Sequence, residues 1–170
     1  MLDLIPFKQS DDSRCGPTAV RMVLSYYGID ATEDEIAARC GWTYELGCDD
    51  KGMKQALESY ELGVQIWNGA KLEDIKYFIQ HRIPVIIDWF SAGASNDPET
   101  GNGHSSVVVG YDRNKVHLLD PFDGRIKAFT HEDFVRLWFD WRAPVITSWS
   151  DMVIRQLIIA YPKRLTEAFL

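Results

Sequence analysis

K-Q-S-D-D-S-R-C-G-P-T-A-V, from Lys8 to Val20, is where a polar stretch turns into a buried helix. Pro17 suits the first turn of a helix, where its missing N–H is harmless. Ala19, Val20, Val23, Leu24 and Tyr27 follow at helical spacing, and Gly28 supplies the stop. The reading predicts a helix from Cys15 to Tyr27. Only Thr18, Arg21 and Ser25 form a polar stripe, so this helix belongs inside the molecule. Its first residue is a thiol.

Downstream, the helical pattern continues. T-E-D-E from Thr32 is a capping box that opens a second helix, ending before Gly41. A third covers Gly52–Tyr60 and a fourth Leu72–His81, with a short strand at residues 63–67 between them. The period then changes. Pro84–Phe90 is an apolar run, P-V-I-I-D-W-F, and reads as a buried strand. A polar, glycine-rich loop, Ser91–Gly103, leads to strands at His104–Tyr111, Lys115–Asp120 and Arg125–Phe129. Thr130 caps a helix expected to reach Trp141, and Val153–Tyr161 reads as a last strand. Helices first and strands second is α+β order. The 170 residues make one domain, 1–170, with room for a substantial core.

Lys plus Arg is 18 against 25 Asp plus Glu, a net charge of −7, which argues against nucleic-acid binding or docking on anionic lipid. The N-terminus, M-L-D-L-I-P-F, has no basic region and no apolar core of a signal peptide, and no apolar run is long enough for membrane insertion. The chain reads as cytoplasmic. Its three Cys, at 15, 40 and 48, argue against a disulfide scaffold.

Cys15 is the candidate for chemistry. A thiol at a helix N-terminus lies at the positive end of the macrodipole, which favours the nucleophilic thiolate. Free backbone N–H groups there donate to an oxyanion, and Gln9, six residues upstream, offers a side-chain amide as a second donor. Arg14 would favour the thiolate; Asp11 and Asp12 would oppose it if they faced it. The nucleophile needs a base and the base an orienting partner. His104 opens a strand, and Asp120 ends the next. They share a face only if opposed residue numbers sum to an even value, as with Asp120 opposite Ser106. That needs an odd-length turn or a bulge. If Asp120 only orients the ring, Asn could replace it. Cys40 and Cys48 read as structural thiols, since C-x7-C is not a zinc spacing. Trp42, Trp89, Trp138 and Trp141 read first as core, with a peptide groove as the alternative. The loop 91–103 reads as a lid or substrate wall delivering His104.

The blocks Q-S-D-D-S-R-C-G-P-T-A-V-R-M-V-L-S-Y-Y-G, G-H-S-S-V-V-V-G-Y-D and V-H-L-L-D-P-F-D-G resemble the double-glycine leader, bacteriocin-processing peptidases of the papain-like cysteine peptidase superfamily. The resemblance runs from about Phe7 to Trp138. It implies Cys15 as nucleophile, His104 as base, Asp120 as orienting residue and Gln9 in the oxyanion hole. It implies a bacterial enzyme with the papain-like fold, a helical N-terminal half packed on an antiparallel sheet from the C-terminal half. The function expected is hydrolysis of a peptide or protein substrate through a thioester, with leader processing as the family's use. No metal or organic cofactor is implied. Two rivals are an acyltransferase or transglutaminase-like enzyme on the same fold, and a non-catalytic peptide-binding module.

Overall fold

The computed structural model describes residues 1–91, 103–141 and 147–164. The loop read as a lid lies, at residues 92–102, outside the described residues.

Helix α1 spans Cys15–Tyr26, α2 Glu33–Arg39 and α3 Asp50–Ser59. Strand β1 (Leu62–Trp67), helix α4 (Leu72–Gln80) and strand β2 (Val85–Phe90) follow. Then come β3 (Gly103–Tyr111), β4 (Lys115–Asp120), β5 (Arg125–Thr130), α5 (His131–Leu137), β6 (Phe139–Trp141), β7 (Met152–Ile154) and β8 (Leu157–Pro162). The main sheet runs β1-β8-β2-β3-β4-β5, with antiparallel pairs throughout. A small β6-β7 ribbon stands apart. The helical half supplies β1 as one edge.

Both sheet faces are covered. On one face, Val20, Met22, Val23 and Leu24 of α1 form a fully buried cluster with Ile86, Val107 and Val109. On the other, Ile75 and Phe78 of α4 and Phe134 and Trp138 pack with Ile87, Trp89, Val108 and Leu118. Burying each such side chain contributes about 1.5–3 kcal/mol. Double coverage explains why β2 and β3 read as nearly continuous apolar runs rather than alternating ones.

Two boundaries differ from the sequence reading. The helix expected to reach Trp141 ends at Leu137. Trp138 leaves it to donate its indole N–H to the Gln156 carbonyl at 3.0 Å, and accepts from Arg155 N–H through its own carbonyl at 3.1 Å. Phe139–Trp141 then pairs with Met152–Ile154 as a strand. The last strand is likewise two strands, because Arg155 adopts a left-handed φ of 48° between β7 and β8. Both differences come from tertiary pairing, which overrode local preference.

Candidate active site

Nothing on a side chain caps α1, and its first turn carries no acidic residue. The helix end is therefore left to Cys15. The segment before it is held from three sides. Gln9 N–H donates to the Pro121 carbonyl at 2.8 Å, beside Asp120. Glu33, at the start of α2, accepts from Ser10 Oγ at 2.6 Å and from Thr18 Oγ1 at 3.0 Å. Arg14 pairs with Asp11 at 3.0 Å, Glu33 at 3.4 Å and Asp34, and its guanidinium stacks 4.3 Å above Trp42. Arg14 thus anchors the segment.

The thiolate is favoured by His104. Burial pushes the Cys15 thiol up, and Asp88 pushes the same way. The hydrogen bond and charge of His104, with the Ser105 backbone N–H, outweigh both and hold the thiol below its ordinary range. Burial lowers the His104 imidazole, but its bonds to Asp120 and Cys15 prevail and raise it to about 10. Both shifts run in the direction that favours a thiolate–imidazolium pair.

Asp120 stands behind the ring. His104 Nε2 lies 2.6 Å from Asp120 Oδ1, which leaves Nδ1 for the thiol. Asp120 is fully buried. Burial raises it, yet His104, Lys127 and the Phe122 N–H bring it down to about 2. Its turn explains the Phe122 bond. P-F-D-G brings Phe122 N–H to Oδ1 at 2.8 Å and Gly124 N–H to the Asp120 carbonyl at 2.9 Å, with Gly124 at φ 70°.

The register that unites His104 and Asp120 comes from a bulge. Next to the turn, Tyr111 opposes Val116 and Gly110 opposes His117, an odd sum that would send Asp120 to the wrong face. The ladder shifts between Val108 and Gly110, and Val107 then opposes Leu119. Continued by one step, this sets Asp120 against Ser106. On the other side, Trp89 opposes His104, with the rings 5.7 Å apart edge to face.

Gln9 is buried beside this group. Its Nε2 donates to the Asp11 carbonyl at 2.7 Å, and its Oε1 meets no partner among the described residues. One amide N–H is therefore committed and one is left.

A cavity of about 370 Å³ opens at Cys15. Its acidic lining is Asp12, Glu45, Asp49, Asp50, Asp88 and Asp140, with no Lys, Arg or His among the described lining residues. Several of these were missed in the sequence. Asp88 was legible, as a carboxylate inside an apolar strand run. Asp140 was not, because residues 139–141 read as helix. Burial and Asp88 raise Asp140 to about 7. It packs against Gly103, where a Cβ would fall 1.9 Å from Oδ1, so a larger residue before His104 would displace the Asp140 carboxylate. Trp141 and Cys48 also line the cavity, whereas Trp89 and Trp138 are core. Among the described residues no group of His, Cys, Asp and Glu could hold a metal ion, and no helix is long and apolar enough to cross a membrane.

A model of the Peptidase_C39 like family matches residues 1–143. The Lactococcin-A transport/processing ATP-binding protein LcnC of Lactococcus lactis subsp. lactis is 30% identical over 132 residues, 76% of this chain. The chain spans only 17% of that relative's length. Among solved structures, a double glycine motif protease from an AMS/PCAT transporter, in complex with the leader peptide, superposes with a TM-score of 0.69 at 18% identity. It covers 95% of this chain and 93% of its own. The peptidase domain of Streptococcus ComA gives 0.68 at 17% identity, covering 96% and 100%. The fold is the papain-like fold of C39 peptidase domains.

Proposed function

The chain belongs to the Peptidase C39-like family of cysteine peptidases, and from that premise we propose that it hydrolyses a peptide bond with Cys15, His104, Asp120 and Gln9. The observation that carries the assignment is His104, bonded on one side to Asp120 at 2.6 Å and on the other to the Cys15 thiol.

The Cys15 thiolate attacks the scissile carbonyl carbon. The developing oxyanion takes hydrogen bonds from the uncapped start of α1 and from the remaining N–H of Gln9. The His104 imidazolium protonates the leaving amine, and a thioester remains. Neutral His104 then removes a proton from water, whose attack releases the acid and restores the thiol. Asp120 fixes the ring throughout and stabilises its charged form.

The substrate is an extended peptide lying in the cavity at Cys15, a reading supported by the leader peptide held by the similar double glycine motif protease. The reaction is assigned to the cytoplasm, where Cys15, Cys40 and Cys48 remain free thiols. The test uses synthetic peptides with a Gly-Gly junction and matched Ala-Ala controls, followed by mass spectrometry. Cleavage at one bond by the wild-type chain, abolished in Cys15→Ala, is expected. Hydroxylamine should divert part of the product to a hydroxamate. Cleavage that survives Cys15→Ala would overturn the assignment.

A further inference from the structure

Orienting His104 requires one oxygen of Asp120, yet the structure closes off the other as well. Oδ1 takes His104 Nε2 and the Phe122 N–H; Oδ2 lies 2.6 Å from Lys127 Nζ. Lys127 sits on the edge strand β5 opposite Leu118, a diagonal neighbour of Asp120 on the same face. Its side chain is 25% exposed, against 1% for Asp120. Arg125, directly opposite Asp120, is exposed. The Lys127 ammonium also lies 5.8 Å from the Phe122 ring, part of the same turn.

We infer that Lys127 is a positioning residue of this site, holding Asp120 at its second oxygen and completing a line of alternating charge, Lys127, Asp120, His104, Cys15. The inference rests on the catalytic reading above. Physically, an ammonium on Oδ2 stops the carboxylate rotating away from the ring and keeps it ionised. It also balances the site: one cation and one anion accompany the thiolate–imidazolium pair. The other acidic groups around the pair are Asp88 from β2, acting on Cys15, Asp140 from β6, acting on His104, and Asp12, Glu45, Asp49 and Asp50, which line the cavity at Cys15. All are acidic, and among the described residues Lys127 is the lysine or arginine that pairs with Asp120 against them.

Two consequences follow from the geometry. Removing the ammonium makes proton loss harder throughout the site, so the pH at which Cys15 becomes a thiolate rises. An Asn at position 120 that keeps Oδ1 on His104 turns its amide N–H toward the Lys127 ammonium, donor against donor. Asp120→Asn is therefore more damaging here than an orienting role alone predicts, and removing Lys127 as well should relieve it.

The experiment follows carboxamidomethylation of Cys15 by iodoacetamide against pH, read by peptide mass spectrometry. Each variant's thermal midpoint is measured alongside. Lys127→Met should raise the lower limb by ~0.5–1 pH unit, and Lys127→Arg should leave it within ~0.2. At pH 6, Lys127→Met added to Asp120→Asn should restore the rate at least ~3-fold, a coupling that independent sites do not give. Superimposable profiles for the wild type and Lys127→Met, even with a lowered midpoint, would reduce Lys127 to a structural ion pair. So would a double variant no faster than Asp120→Asn. Should Cys15 of the wild type alkylate no faster than Cys48 at pH 6, the catalytic reading itself falls, and that outcome is separate from either of these.

Discussion

The three thiols occupy different environments. Cys15 is lowered by His104; Cys48, in the cavity wall, is pushed up by its bond to Cys40 and by burial. At pH 6 Cys15 should alkylate at least ~10-fold faster than Cys48, because only the thiolate reacts. Equal rates would mean that no activated thiol exists. Glu33 gives a second residue-scale test. The capping box T-E-D-E was legible, and Thr32 with Glu35 forms it. The role of Glu33 was not, since Ser10, Arg14 and Thr18 reach it only through folding. Glu33→Ala leaves those donors without their carboxylate and should cost about 2–3 kcal/mol in denaturant unfolding. A loss below about 0.5 kcal/mol would contradict the anchoring role.

At the scale of elements, α3 and the loop before it form one wall of the cavity. Gly52 permits the contact: a Cβ there would lie 2.2 Å from the Cys40 carbonyl and 3.1 Å from Cys48 Sγ. Backbone is in the way, so Gly52→Ala must push the 40–48 loop outward. We expect a stability loss of about 1–3 kcal/mol, together with a raised KM for any cleaved peptide. Unchanged KM with reduced stability would separate the loop from substrate binding. The element boundaries read from sequence hold for α1 to α4 within a few residues, since each has its own apolar period and stop. The boundaries after Leu137 failed because β6 and β7 are short and exist through each other.

For the whole molecule, the pH dependence of stability follows from the same site. His104 is raised to about 10 from an ordinary value of 6.5, so its contribution is complete below pH 6.5 and disappears as pH climbs through 10. Asp120 is lowered to about 2 from 3.8; its contribution is present above 3.8 and is lost as pH falls through 2. Cys15 is lowered from an ordinary value of 9, so up to that pH it gains what His104 loses. The unfolding midpoint should therefore decline between pH 9 and pH 10, and His104→Gln should flatten that decline. Asp140 works in the opposite sense to Asp120. It is raised to about 7 from 3.8, so the folded state loses stability as pH rises from 3.8 to 7. Asp140→Asn should raise the midpoint more at pH 8 than at pH 4. An equal gain at both values would assign the effect to packing rather than charge.

Sequence alone determined the helix-then-strand order and the thiol at a helix start, and it nominated Gln9, Cys15, His104 and Asp120 as the proposed site. These are local properties: period, caps, turn residues and the chemistry of single side chains. Tertiary structure decided whether those residues meet. The face on which Asp120 lies depends on one extra residue in β3, between Val108 and Gly110, and no local preference marks that bulge. Lys127 reaches Asp120 across the β4–β5 pairing, and Asp140 reaches Gly103 from a strand of the other sheet. Strand register is a long-range choice made by the core, and a one-residue shift turns every side chain to the other face.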